Sequence, residues 1–285
     1  MAGAATYLNT GATDVAPANW SDATGIVEDA TCIIDAQGGT AQAITLSVDR
    51  SAIAGVDTFS IQALFSGTVG TQGSPLKMGC KTKFTNSAAG GVLNYQAANI
   101  AGAGAAPTTA NLCSLFVQAG PGQANLLGGT VTEIQQGQGT LYVNQSTVVT
   151  TVNHSGGTAT YDSNATPITT LTIAGGMVIL KRGVTTIVNH GGWIIYDNLI
   201  ACTTFTGGPN SNTDWRGGTI TTANILGTFT VQNMTRATTF TTTKVWASAN
   251  FNMNPQSGVV LTFTNQITYI GGGPKTYSTS GGVGA

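Results

Sequence analysis

Two carboxylates, Asp162 and Asp197, are the side chains of this sequence best suited to acid–base chemistry. Each lies thirteen positions after the start of a recurring four-residue phrase of the form apolar-Thr-Thr-apolar. Four residues share this offset: Asn144, Asp162, Lys181 and Asp197. If each phrase opens one coil of a stacked β-structure, the two aspartates lie about 9.6 Å apart, near the ~6.5–9.5 Å carboxyl separation of inverting glycosidases. Lys181 lies between them and favours charged carboxylates, whereas a general acid must hold a proton. The pattern therefore favours a structural salt-bridge ladder at a corner of the coils over a catalytic pair.

The remaining reactive side chains do not converge in the sequence. His154 and His190 lie two coils apart with no cysteine or carboxylate in their column, so one chain does not supply the three or four ligands of a metal site. Three chains around an axis would bring three copies of one histidine together. The cysteines show no CxxC spacing and predict buried thiols at Cys32, Cys80, Cys113 and Cys202. With no Walker, GxSxG or HExxH motif, we expect no catalytic residues, no metal and no cofactor.

The phrase that places these residues is an internal repeat of the form apolar-Thr-Thr-apolar. Its copies recur at closely similar intervals and begin at Val131, Val149, Ile168, Val184, Cys202, Ile220 and Ala237. In the first four copies a glycine follows at a fixed offset, where a positive φ would turn the chain: Gly139, Gly157, Gly176 and Gly192. A Thr/Val/Ile-rich repeat of roughly 18 residues predicts one coil of a β-solenoid, with three short sides.

Two further patterns have both a functional and a structural interpretation. Paired threonines on a β-solenoid suggest ice binding through their hydroxyl groups. Neighbouring residues of a strand point to opposite faces, however, so only one of the two threonine columns would lie outside. The pattern therefore favours a structural role for the second column, as an inward stack of hydroxyls that bond between coils. Aromatic residues in the repeats would line a sugar groove or, as we favour, fill the interior or contact a neighbouring chain. They are Trp193, Tyr196, Trp215, Phe229, Phe240, Trp246 and Phe251.

The composition excludes several functional classes. Charged residues make up only 7% of the 285 residues and the net charge is −1, which argues against nucleic-acid binding through a basic surface. No apolar run approaches the ~18 residues that a membrane span requires, so we expect no membrane insertion. The first residues lack the basic and apolar segments of a secretory signal, so we expect the protein to be used without export.

The chain is expected to be all-β, with three regions. Residues 1–125 form an N-terminal β region, in which strand-like alternation occurs at 31–35, 43–48, 58–61 and 76–78. Residues 126–270 form the β-solenoid, and residues 271–285 form a Gly-rich tail. The acidic segment, residues 1–60, contains seven acidic side chains and one basic one, a net charge of −6. Such a segment would either face a basic partner or, as is more frequent, form a solvated rim.

The sequence resembles bacteriophage capsid decoration (cement) proteins with a β-solenoid, or β-helix, body. The resemblance rests on YLNTG at residues 7–11, NWSD at 19–22, FSIQALFSGTVG at 59–70 and the Thr-Thr coils from 131 to about 240. It implies a structural protein of the virion that acts as a homotrimer, binds between major capsid protein subunits at the capsid surface, assembles in the host cytoplasm and has no catalytic residues. The acidic segment would then face the capsid.

Two other functions stay open at this point. One is a receptor-binding or tailspike-like protein that recognises or cleaves a surface polysaccharide, which predicts a groove with exposed aromatic residues and unpaired carboxylates. The other is a bacterial surface adhesin, which the absence of a secretory signal disfavours.

Overall fold

The computed structural model is all-β and contains a parallel β-solenoid with coils of about 19 residues from residue 76 to residue 263, which confirms the predicted fold class. The structure describes residues 4–7, 31–34, 55–97, 112–232, 234, 236–253 and 259–271. Among these residues there is no helix with the length and hydropathy of a membrane span. Nearly all of the Gly-rich tail, most of the acidic segment and the strand expected at 43–48 lie outside them.

The chain divides into two compact units, Met1–Val149 and Thr150–Ala285, with the boundary inside strand β11. The strands of the first unit are β1 (Ala4–Tyr7), β2 (Thr31–Ile34), β3 (Val56–Ile61), β4 (Leu76–Met78), β5 (Cys80–Asn86), β6 (Val92–Ala97), β7 (Leu112–Gln118), β8 (Gln123–Leu126), β9 (Gly129–Gln136) and β10 (Thr140–Val143). The later strands are β11 (Thr147–His154), β12 (Thr158–Tyr161), β13 (Ile168–Ile173), β14 (Met177–Leu180), β15 (Val184–Asn189), β16 (Trp193–Tyr196), β17 (Cys202–Gly207), β18 (Asn212–Trp215), β19 (Gly218–Ile225), β20 (Thr228–Val231), β21 (Thr238–Trp246), β22 (Asn250–Met253), β23 (Leu261–Phe263) and β24 (Thr268–Ile270).

Each coil contributes one strand to each of two parallel sheets. In the first unit the order is β1-β2-β3-β5-β7-β9 in one sheet and β4-β6-β8-β10 in the other. In the second unit the longer strands run β11-β13-β15-β17-β19-β21-β23, and the shorter strands run β12-β14-β16-β18-β20-β22. The coils therefore have two strand-bearing sides instead of the three short sides expected, because one strand of six to nine residues and one of four occupy most of a coil.

The repeat sets the register of the stacked coils, with one exception. Ile168 pairs with Val184 and Cys202 pairs with Ile220, as the copies of the phrase predict. Ile220, however, pairs with Phe240 and not with Ala237, so the last interval is three positions longer than the phrase predicts. The reason is burial: Phe240 is completely buried and continues the inner apolar column, whereas Ala237 is exposed in the preceding loop.

The interior of each unit is a continuous stack of apolar and aromatic side chains. In the first unit Phe84 packs between Phe59 and Phe116, with ring centroids 5.0 and 5.4 Å away. In the second unit Trp215 stacks on Tyr196 at 3.8 Å with an angle of 6° between the rings. Further rings continue this stack through Phe205, Phe229, Phe240, Phe251 and Phe263. Most of the repeat aromatics thus fill the interior, whereas Trp193 and Trp246 stay 45% and 36% exposed.

Glycine turns join the two strands of a coil, and three of the four predicted glycines adopt positive φ. Gly139, Gly157 and Gly176 have φ values of 68°, 75° and 76°. A Cβ atom on Gly176 would lie 2.5 Å from the Gly157 carbonyl oxygen, so close stacking also requires glycine there. Gly192 is not among the glycines with positive φ; instead Asn189 holds this turn, accepting from the Gly192 N–H at 2.9 Å and donating to its carbonyl at 3.0 Å.

Both threonines of the phrase face outward, which corrects the expectation of an inward hydroxyl stack. In β13 Ile168 and Leu171 are both buried, while Thr169 and Thr170, which lie between them, are exposed and half-buried. The register pairs Ile168 with Val184 and then resumes at Thr170 with Thr186, so the strict alternation of the strand breaks at the first threonine. Two consecutive side chains therefore reach the same outer side of the coil.

Candidate functional site

The predicted column of polar residues lies where the shorter strands end. Asp162, Lys181 and Asp197 directly follow β12, β14 and β16, whose last residues are register partners. The Lys181 N–H donates to the Tyr161 carbonyl at 2.9 Å, and the Asp197 N–H donates to the Leu180 carbonyl at 2.8 Å. These bonds extend the parallel ladder one residue beyond the strands. Asn144 occupies the corresponding position after β10 in the first unit.

The structure brings the charges of this corner together in two ion pairs of the second unit. Lys181 Nζ lies 3.5 Å from Asp162 Oδ1, and Arg236 Nη1 lies 3.6 Å from Asp197 Oδ1. In both pairs the cation is the more exposed partner, at 54% and 44% of the side chain, against 25% and 33% for the carboxylates. The pairing of Asp197 with Arg236 had no signal in the repeat, because Arg236 lies in a loop between copies of the phrase.

A buried arginine lies below the corner, and the repeat gives no signal for it either. Arg182 is fully buried, donates from Nε to the Asp162 carbonyl at 2.7 Å and lies over the Tyr161 ring, 6.0 Å from its centroid. Burial lowers the pKa of Arg182 to about 10, while Tyr161 and Asp162 oppose that shift. The guanidinium stays charged at neutral pH, so it links the backbone of one coil to the next as a buried cation.

Unequal loop lengths create an open depression at this corner. Three residues join β14 to β15, whereas six join β12 to β13 and five join β16 to β17, so the longer loops rise on both sides of a short one. The depression has a volume of about 470 Å³ and is lined by Ser163, Asn164, Ala165, Lys181, Asp197, Asn198, Leu199, Ile200 and Arg236. The short coil is visible in the sequence as the shortest interval between copies of the phrase, from Ile168 to Val184.

One wall of the depression is fixed by packing and hydrogen bonds. Ile200 covers Gly183, where a Cβ atom would lie only 2.4 Å from Ile200 Cγ2. Asn198 accepts from the Ile200 N–H at 2.7 Å and donates to the Lys181 carbonyl. These contacts leave Leu199 at the crest of the loop, 62% exposed.

The two histidines do not share a column. His154 pairs with Ile173, and Ile173 pairs with Asn189, which places His190 one position further along the chain. His154 is buried, whereas His190 is exposed. Burial lowers the pKa of His154 to about 4, and a hydrogen bond to the Gly157 backbone opposes this shift. His154 therefore belongs to the glycine turn, in the inward position that Asn189 occupies two coils later.

All four cysteines are free and buried, which confirms the prediction of buried thiols. Cys80 and Cys113 are register partners in neighbouring coils, and a hydrogen bond between their side chains, together with burial, raises the pKa of Cys80. Burial raises the pKa of Cys202 to about 12. The thiols of Cys80 and Cys202 therefore stay protonated at neutral pH and are poor nucleophiles. Within the described ranges, no three His, Cys, Asp or Glu side chains cluster as metal ligands would.

No protein family model matches the chain, and neither a curated protein nor a solved structure gives a match.

The two aspartates of the corner provide a matched pair of substitutions. We expect Asp197→Asn to change the free energy of unfolding by only ~0–1 kcal/mol, because its ion pair with Arg236 is solvent-exposed. Asp162→Asn should cost more, about 1–3 kcal/mol, because its carboxylate also stabilises the charge of buried Arg182. Urea unfolding followed by circular dichroism measures both. Equal losses would contradict this role of Asp162, and loss of cleavage of a polysaccharide in either variant would support the tailspike-like alternative.

Proposed function

We propose that this chain is a structural, non-enzymatic protein of a virus particle, which decorates and stabilises a bacteriophage capsid by binding between major capsid protein subunits as a homotrimer. The observation that carries the proposal is the construction of the coils, with apolar residues inside and mainly hydroxyl and amide side chains outside. Stacked coils of this kind make a stiff support, and stiffness is what a brace between subunits requires.

The low charge of the chain supports a role in contacts shared among many subunits. Only 7% of the residues are charged, so few ions would lose their hydration when the outer walls of the coils are covered. Each contact can then be individually weak, because many identical sites on one shell act together.

An apolar patch on the shorter sheet of the second unit supports self-association. Met177 pairs with Trp193 and Ile179 pairs with Ile195, and these four side chains point outward from neighbouring strands. Trp193 is 45% exposed and the other three are half-buried. A large aromatic residue surrounded by aliphatic ones is the composition found at the centre of protein interfaces.

The net charge of the acidic segment supports its placement against the capsid. Residues 1–60 have a net charge of −6 in a chain whose total is −1, so the remainder is +5. A segregated charge of this size steers association with a basic surface. The segment would therefore contact the shell, and the coils would lie nearer the trimer axis.

The proposal is tested in particles of the phage that encodes the chain. Quantitative mass spectrometry and labelled antibodies should find hundreds of copies spread over the shell, since decoration sites repeat with the capsid lattice. A few copies at one vertex would contradict decoration and indicate a tail component instead.

A second test addresses the acidic segment and keeps the full chain. Shells lacking the protein should bind a variant with six neutralised acids at least about tenfold more weakly than the wild type, mainly through slower association. The substitutions are Asp14→Asn, Asp22→Asn, Glu28→Gln, Asp29→Asn, Asp35→Asn and Asp49→Asn. The control carries Asp162→Asn and Asp197→Asn, at the corner of the coils, and should bind normally. Unchanged binding of the six-fold variant would refute this placement of the capsid-facing surface.

A further inference from the structure

The outer side of the longer sheet in the second unit carries two adjacent columns of threonine, with six members each. The first column is exposed or half-buried and consists of Thr150, Thr169, Thr185, Thr203, Thr221 and Thr241. The second column is half-buried and consists of Thr151, Thr170, Thr186, Thr204, Thr222 and Thr242, which are Cα partners in five consecutive strand pairs. Twelve successive outward positions therefore hold one residue type.

The packing of the coils does not require this uniformity. The next outward column, two residues further along each strand, varies freely and contains Asn153, Thr172, Val188, Thr206, Asn224 and Lys244. The buried position before the threonines also varies, from Cys202 to Phe240. In the first unit the same outward positions hold Thr132 and Glu133. Coils of this fold thus accept other side chains at these sites.

The hydroxyl groups of the columns are left for contacts outside the chain. Among the residues that the structure describes, the one side chain that bonds to any of the twelve hydroxyls is Asn265, which donates to Thr242 at 3.3 Å. Threonine is β-branched and stiff at χ1, so the methyl and hydroxyl groups of such a column are ordered before a ligand arrives. The columns are a preorganised, uncharged surface.

The repeat of this surface determines which ligand it fits. Neighbouring coils are about 4.8 Å apart, so the hydroxyls recur at that interval over roughly 24 Å. This interval is close to the repeat of water oxygens along the a axis of hexagonal ice. A charged group would hold its own hydration shell and disturb an ordered water layer, and the twelve positions contain none.

We propose that the two threonine columns bind the surface of ice. The hydroxyl groups donate to and accept from lattice waters, and the methyl groups fill the spaces between them. Strand alternation alone would leave a single outward column, and the break in alternation at the first threonine supplies the second. The inference is independent of the capsid proposal, because it concerns a property of the isolated protein and needs no viral partner.

The test is the incorporation of the full-length protein into a slowly growing ice hemisphere, together with inhibition of ice recrystallisation. We expect wild-type protein to concentrate in the ice and Thr203→Lys with Thr221→Lys to reduce the incorporated fraction by about tenfold. The control carries Thr160→Lys and Thr230→Lys on the outer side of the shorter sheet and should behave as the wild type.

Several results would overturn the inference. Exclusion of the wild type from ice to the same degree as serum albumin is one, and an equal loss in the control variant is another. A second pair of substitutions at exposed positions, Thr150→Lys with Thr169→Lys, should give the same loss of ice incorporation with an unchanged circular dichroism spectrum. Normal ice incorporation of this second variant would also overturn the inference. If light scattering shows that these substitutions change the oligomeric state and leave ice incorporation unaltered, the columns are an interface between copies and the proposal is wrong.

Discussion

Replacing Trp215 with alanine will lower the free energy of unfolding of the second unit by about 3–5 kcal/mol. Trp215 is fully buried, stacks on Tyr196 at 3.8 Å and has the Phe205 and Phe229 rings 6.2 and 6.0 Å away. Removal of the indole leaves a cavity between coils whose backbones are held by the parallel ladders and cannot close around it. The midpoint of urea unfolding, followed by circular dichroism on the full chain, measures the loss.

Two further variants separate packing from other effects of this substitution. Trp246 is 36% exposed, so Trp246→Ala should cost less than about 1 kcal/mol. Trp215→Phe keeps an aromatic ring in the stack and removes an indole N–H that has no hydrogen-bond partner, so its cost should stay below about 1.5 kcal/mol. Equal losses for Trp215→Ala and Trp246→Ala would show that the stack of rings does not dominate the stability of this unit.

Lowering the pH from 6.5 to 4 will remove about 3 kcal/mol of stability through His154 alone. Burial lowers the pKa of His154 from 6.5 to about 4 in the folded chain. Between these values the unfolded chain takes up a proton that the folded chain does not, so the unfolded state is favoured as the pH falls. The contribution is fully present above pH 6.5 and is lost across this window.

The His154→Gln variant isolates this contribution from the titration of carboxylates. Glutamine occupies the same place in the preceding copy of the repeat, where Gln136 donates to the Gly139 carbonyl at 3.2 Å. Between pH 6.5 and 4, the free energy of unfolding of this variant should change by about 3 kcal/mol less than that of the wild type. His190→Gln, at an exposed position, should retain the full dependence. An unchanged slope in His154→Gln would show that the histidine is not held neutral.

Much of the fold was accessible from local patterns. Strands were expected near residues 31–35, 58–61 and 76–78 and occur as β2, β3 and β4. The phrase also gave the correct register between Ile168 and Val184, because a buried side chain must recur at the same place in every coil. The coils begin at residue 76, well before the first copy of the phrase at Val131, since apolar alternation without paired threonines builds the same coil.

The candidate site was less accessible, because it depends on the loops. The offset of thirteen positions placed Asp162, Lys181 and Asp197 at one corner, but the partner of Asp197 is Arg236, from a loop much later in the chain. The burial of Arg182 likewise follows from the short connection after β14, which turns its side chain under the corner. Loops differ in length from coil to coil, so a periodic pattern carries no information about them.

The repeat and the hydrophobicity of single residues are enough to predict the stacked β-coils, the inward apolar columns and the burial of the cysteines. The direction in which the polar side chains point follows instead from the packing of whole coils. Period-two alternation predicts one outward threonine per phrase, yet a break in the strand turns Thr169 and Thr170 to the same side. His154 and His190 differ by one position along their strands, and that step separates a buried ring from an exposed one. Such choices depend on how a strand bends against its neighbours, which no local pattern specifies.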